Sequence, residues 1–389
     1  MNTAEILAQY SSFADHQISN RFIKQDLIEK TLLHLPDGFK SRVLGDSAEE
    51  LPIHLITCGK GAIKIMLWSQ MHGDEATGTM ALLDLIGYIR YYAHTPSIEK
   101  LLANCTLYII PMVNPDGAAR FTRRNAQQLD INRDYLQTIS PEAKILKQIR
   151  RDLQPDFGFN LHDQDTLWSV ANTGNPATLS FLAPAYDVAC NSNEARTRAM
   201  QVIIDMFTAV DPLLPKQIGL FDECYEPRAF GDNFQQEGTA TILIEAGGRL
   251  QDPEKQETRK YFFMAMLAGL ESIAQKSYTD QQPEHYKQIP SNTKAIFHIL
   301  IHQLEFNGIL TSIGLNYLEV PNPGGTSTTK TYYVADIGDL SAWSAYHSYS
   351  ASELTVVGEI RYAELANFDL FQDKRIILSF KDGILQSKQ

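Results

Sequence analysis

The chain has 389 residues, 44% of them hydrophobic and 21% charged, so it can fill a folded core and exceeds the usual size of a single one. Its formal net charge is −12, with no long block of like charge and no basic stripe, which argues against nucleic acid or an anionic membrane as a partner. No run approaches the ~20 apolar residues of a membrane span.

Apolar spacing over residues 3–33 (Ile6, Leu7, Tyr10, Phe13, then Phe22, Ile23, Leu27), broken near Ser19 and Asn20, predicts two helices. From about residue 50, short apolar runs predict strands at 52–58, 63–69, 106–112, 157–161 and 240–244, alternating with helices at 78–92, 141–152, 193–210 and 254–275. Strands buried on both faces and separated by amphipathic helices imply an α/β fold. Its central sheet should be mostly parallel or mixed, with helices on both faces. This first domain is expected over 1–277. Residues 278–292, inside the polar stretch KSYTDQQPEHYKQIPSN, read as a linker, and 293–389, with short β-prone runs and turns at NPGG and KDG, as a small β-rich domain.

The four cysteines, Cys58, Cys105, Cys190 and Cys224, form no Cys-x-x-Cys pair and are expected to be reduced and mostly buried. The opening MNTAEILAQYSSFADHQ lacks a basic stretch followed by a long apolar core, so no secretory signal is read there and a cytoplasmic location is expected.

Several apolar runs end in a chemically capable group: His72 after 63–69, Asn114 after 106–112, His162 after 157–161 and Glu245 after 240–244. In open α/β sheets the ligand crevice lies beyond the carboxyl ends of the strands, so these ends point to one site. A catalytic zinc takes three protein ligands and leaves a position open; His72, Glu75 and His162 supply two imidazoles and a carboxylate. Such a site needs a general base, for which Glu245 is the candidate, with the small residues of AGG after it expected to leave room around its carboxylate. Between the metal motifs, NPDGAARFTRRNAQQLDINRDY carries Arg123, Arg124 and Arg133 with Asn125 and Asn132, residues suited to capturing a carboxylate.

In this order, HGDE (72–75), NPDG (114–117), RRN (123–125), DINRD (130–134), NLHD (160–163) and LIEAGG (243–248) resemble the zinc carboxypeptidase family, the carboxypeptidase A-like metallopeptidases, over about residues 50–275. The resemblance implies one zinc ion held by His72, Glu75 and His162, with Glu245 as general acid and base. It makes Arg123 the group that polarises the scissile carbonyl, Asn132 and Arg133 the grip on the substrate's terminal carboxylate, and Asp130 the carboxylate that orients His72. Tyr225 lies at a suitable distance before Glu245 to match the family's mobile tyrosine. Arg228, Phe230, Gly231 and Asp232 would line the side-chain pocket, where Arg228 would favour acidic and Asp232 basic substrates.

The expected activity is cleavage of an amide next to a free carboxylate, most simply the C-terminal bond of a small peptide. A more distant similarity, to the aspartoacylase and succinylglutamate desuccinylase branch, makes an N-acyl amino acid hydrolase the alternative. A non-catalytic carboxylate-binding module is a third reading. Oligomeric state stays open. His298 and His302, spaced i,i+4 in HILIHQ without a carboxylate partner nearby in sequence, read as packing residues.

Overall fold

The computed structural model describes residues 3–350 and 354–388. The chain divides into two compact units, one of residues 1–166 and 177–292, the other of residues 167–176 and 293–389. The first nine strands are β1 (Lys40–Asp46), β2 (Pro52–Gly59), β3 (Ile63–Ser69), β4 (Cys105–Ile110), β5 (Phe157–Asp163), β6 (Trp168–Val170), β7 (Leu179–Leu182), β8 (Ile218–Leu220) and β9 (Ala240–Ala246). All but β6 form one eight-stranded sheet in the order β1-β2-β4-β3-β5-β9-β7-β8. The middle four strands, β4-β3-β5-β9, are parallel, while β1–β2, β2–β4 and β7–β9 are antiparallel, so the sheet is mixed around a parallel centre.

The nine helices of the described residues are α1 (Thr3–Ala8), α2 (Gln25–Leu33), α3 (Thr77–Tyr91), α4 (Pro96–Asn104), α5 (Pro115–Arg120), α6 (Pro141–Leu153), α7 (Glu194–Val210), α8 (Phe230–Gln236) and α9 (Gln256–Gln275). Alternation along β3 divides the core between the two faces of the sheet. Ile65 and Leu67 join the apolar cluster under α3, α7 and α9, while Met66 and Trp68 join Leu146, Ile149, Phe230 and Phe234 from α6 and α8 on the other side.

Residues 277–280 and 283–288, mostly within the expected linker of 278–292, form two short 3₁₀ turns. Tyr286 in the second of them is buried and its hydroxyl accepts the Ala183 N–H at 3.0 Å. The polar composition of that stretch concealed one aromatic anchor. All four cysteines are free, but only Cys58 and Cys105 are buried; Cys190 is half-buried and Cys224 exposed. No described helix is long and apolar enough to cross a membrane.

In the second unit β6 pairs with β10 (Asn292–Lys294). Strands β11 (Ile296–Phe306), β12 (Ile309–Pro321), β13 (Thr328–Gly338) and β14 (Ser344–Ser350) form one four-stranded sheet, and β15 (Leu354–Glu359), β16 (Asn367–Gln372), β17 (Arg375–Lys381) and β18 (Ile384–Lys388) an antiparallel meander. Ile299, Ile301, Leu315 and Val334 of the first pack with Phe368, Leu370 and Phe380 of the second. His298 is buried, stacks on Tyr317 with ring centroids 3.6 Å apart, and accepts its backbone N–H.

Candidate metal centre

Strand order places the site. The chain runs from β3 outward to β4 and then returns to β5 on the other side of β3, so the connections diverge between β3 and β5. A crevice opens beyond the carboxyl ends of such a pair. His72 and Glu75 follow β3, and His162 lies near the end of β5. The β5–β9 register sets His162 opposite Glu245, bringing a third strand end to the same place.

The loop after β3 is held tightly. A Cβ on Gly73 would stand 2.0 Å from the backbone carbon of Gly117, so the two motif loops touch backbone to backbone and only glycine fits. Asn114 ties them together: its side-chain oxygen accepts the Gly117 N–H, and its amide donates to the carbonyls of Met71 (3.3 Å) and Arg123 (3.4 Å). Asn114 is thus a brace, not a reacting group. Gln70, in the left-handed region at φ 49°, donates to the Gly73 carbonyl and accepts from Thr79.

His72, Glu75 and His162 are all buried, and one donor atom from each lies within 4.8 Å of the others. Glu75 spans the histidines, with one oxygen 2.8 Å from His72 Nδ1 and the other 2.7 Å from His162 Nδ1. His72 Nε2 lies 3.0 Å from Asp130, and Arg123 reaches His72 Nδ1 at 3.2 Å. That pair of contacts assigns the tautomer. Nε2–H donates to Asp130, and the Nδ1 lone pair faces the cluster. Two imidazole nitrogens and a carboxylate converging in a buried space can hold a cation between them, and this donor set suits zinc. Burial alone would lower the His72 pKa, but Glu75 and Asp130 outweigh it and lift it to about 9. For His162 burial prevails over Glu75 and the value falls.

Arg123 bridges Glu75 (3.0 Å) and Asp130 (3.0 Å) while its side chain remains 44% exposed, so it faces both the ligands and the crevice. Glu245 is buried, and one of its oxygens has no hydrogen-bond partner. Burial first, then the charges of Glu75 and Asp163, push its pKa well above the carboxylate range, against the pull of Lys255 and Arg123. It is a carboxyl disposed to carry a proton.

One residue of this neighbourhood, Lys255, has no signature in the sequence. Lys255, in the left-handed conformation just before α9, donates to the Ala246 carbonyl (2.8 Å) and pairs with Asp163 (3.0 Å), joining the residues that follow Glu245 and His162. Asp163 also accepts from the Thr77 hydroxyl at 2.7 Å, at the start of α3. Gly247, expected to leave room for Glu245, has another cause: a Cβ there would stand 1.9 Å from the Ala177 carbonyl oxygen.

The remaining expected groups lie around this centre. Asn132 has its side-chain oxygen on the Phe230 N–H (2.9 Å), so it positions the start of α8. The guanidinium of Arg133 pairs with Glu226 at 3.2 Å. Tyr225 is half-buried; burial and the acids Asp232, Asp187 and Glu226 raise its pKa, and among the described residues no hydrogen bond joins it to the cluster. Phe230 is buried in the core. Asp232 accepts the Glu226 N–H at 2.9 Å, and Arg228 lies on the exposed surface.

Residues 25–179 match the model of the peptidase M14 family, zinc carboxypeptidase. Among curated proteins, the chain is 26% identical over 134 residues to carboxypeptidase 2 of Trichophyton rubrum, covering 32% of this chain and 24% of that one. It is 33% identical over 103 residues to carboxypeptidase SOL1 of Arabidopsis thaliana, covering 24% and 21%. The matched region thus spans about a quarter of these relatives' length. The fold is similar to that of a metallo-carboxypeptidase from Burkholderia cenocepacia, with a TM-score of 0.53 at 17% identity, covering 66% of this chain and 70% of that one. Bovine thrombin-activatable fibrinolysis inhibitor, solved with a tick carboxypeptidase inhibitor, gives 0.53 at 16% identity over 66% and 96%. The fold of the larger unit is thus similar to that of metallo-carboxypeptidases of known structure, and residues 25–179 within it match the zinc carboxypeptidase family model.

Proposed function

We propose that the protein is a zinc-dependent carboxypeptidase that hydrolyses the amide bond next to a free carboxylate, most simply the C-terminal bond of a small peptide. The observation that carries this reading is the pairing of Glu245 with His162 across β5 and β9, which sets a buried carboxyl beside the three-residue donor set. Bound zinc would acidify water and polarise the substrate carbonyl.

The chain's own groups supply the rest. Glu245 takes a proton from the attacking water and passes it to the departing amine, for which a raised pKa is suited. Arg123 presents its exposed side to the developing oxyanion while Glu75 and Asp130 hold it in place. Asp130 keeps His72 in the tautomer that offers Nδ1. Arg133 is the charge available to the substrate's terminal carboxylate once Glu226 yields it.

The test uses zinc-loaded protein and short peptides with free or amidated C-termini, with N-acetyl-aspartate as the acylase arm. The free-acid peptide should be cleaved and the amidated one should not. Glu245→Gln should lower kcat by roughly 10²–10⁴-fold with zinc content unchanged. Equal cleavage of free and amidated peptides, or full activity in the variant, would sink the reading.

A further inference from the structure

Although the chain is acidic overall, three arginines converge on one open cavity of about 420 Å³, lined by Arg124, Arg133 and Arg228 together with Leu129, Asp130 and Asp134. Among the described residues, neither acid forms an ion pair with these three arginines. Both oxygens of Asp130 are engaged, by His72 and by Arg123, and those of Asp134 accept from the Ile139 N–H and from the N–H and hydroxyl of Ser140. Through Asp130 the cavity adjoins the metal centre, and through Arg133 it shares the residue expected to hold a terminal carboxylate.

The protein already places an anion here. Glu226 is held by Arg228 through both carboxylate oxygens (Nε 2.8 Å, the terminal nitrogen 2.8 Å) and by Arg133 Nε at 3.2 Å. Two-pronged arginine contact is the geometry that recognises a carboxylate. These arginines hold the Glu226 carboxyl down at about 2, with its hydrogen bond to Arg228 as the main cause. Glu226 and both arginines are partly exposed, so an incoming carboxylate can exchange for the internal one without burying a charge.

We infer that this arginine-lined cavity is the subsite for an acidic side chain on the substrate's C-terminal residue, and that Glu226 holds the place of that group between substrates. The inference rests on the carboxypeptidase reading and names its substrate class: peptides ending in glutamate or aspartate.

Two measurements on the zinc-loaded protein test it. In the first, kcat/KM is compared for peptides identical except for a C-terminal Glu or Gln. The Glu peptide should be preferred roughly tenfold, and Arg228→Gln and Arg124→Gln should each shrink that ratio. In the second, calorimetric titration with glutarate should show binding that weakens in Arg228→Gln and strengthens in Glu226→Gln. Zinc is common to all these proteins, so the differences report on the arginines. No preference for Glu over Gln, or a preference that survives Arg228→Gln, overturns the assignment. Glutarate binding indifferent to Arg228→Gln overturns it even if peptides are cleaved. Arg228-dependent glutarate binding without cleavage of any peptide upholds the anion site and removes the carboxypeptidase reading instead.

Discussion

Asp130 shows how much of a metal centre lies outside its ligands. One of its oxygens fixes the His72 tautomer and the other holds Arg123, and its own backbone neighbour Asn132 donates back to it at 3.0 Å. Asp130→Ala should therefore weaken zinc binding about 10–100-fold, measured by competition with a chelator, while the fold persists. Unchanged affinity would show that ring orientation is set elsewhere. Asp232 allows a test by pH. Burial lifts its carboxyl from 3.8 to about 6, against the backbone hydrogen bonds that lower it. The folded value lies above the unfolded one, so the stabilising protonated form is fully present below pH ~4 and lost as pH rises through ~6. Asp232→Asn removes that loss. Its stability relative to the parent should grow by about 1–2 kcal/mol between pH 4 and 7 in urea titrations, less than the full shift because the group is partly exposed. At this scale the sequence was most legible where a polar group interrupts an apolar strand, as at His72, His162 and Glu245. It was silent on Lys255, whose role follows from a left-handed turn bringing a helix start under two strand ends.

At the level of elements, the strands that could be read are those buried on both faces, because their composition departs from everything around them. β3, β5 and β9 fall within two residues of their expected ends. β7 and β8, with four and three residues, are too short to show a pattern, and β1 is an edge strand with mostly exposed residues whose polar composition hides it. The N-terminal segment was legible as helix, yet its first piece ends after six residues and continues as a 3₁₀ turn at Tyr10–Ser12. What fixes that segment is not its propensity but Asp84 on α3. Asp84 accepts from Arg259 of α9, from the Tyr10 hydroxyl and from the Asp15 N–H, while Arg259 also donates to the carbonyls of Asp15 and Ile18. Asp84→Ala leaves the Arg259 charge buried without its counterion, a loss of about 3–5 kcal/mol. The expected result is a lowered melting temperature together with faster amide exchange over residues 5–20. Destabilisation without exchange in that segment would place the role of Asp84 elsewhere in the core.

For the molecule as a whole, the two units differ in what stabilises them. The larger unit buries a possible metal-ligand set in His72, Glu75 and His162, with the carboxyl of Glu245 beside it, where Glu75 and Glu245 repel each other. The smaller is a β structure around Ile299, Leu315, Phe368 and Phe380, and among its described residues no metal-ligating cluster occurs. A general β-rich character was legible from its short runs and turns. That residues 167–176 belong with it was not, because they sit within the first domain's stretch of sequence and join the second unit through the pairing of β6 with β10. Metal removal should separate the units thermally. A ligand that binds only the folded state stabilises it by RT ln(1 + [L]/Kd), about 4 kcal/mol at a thousandfold excess over Kd. For a unit of this size that corresponds to a shift of several degrees. Scanning calorimetry with zinc and with EDTA should show one transition moving down while the other stays in place. Phe380→Ala, which opens a cavity in the smaller unit, should lower the transition that EDTA leaves alone. If EDTA and Phe380→Ala lower the same transition, the two units unfold as one cooperative body and the separation of their stabilities fails.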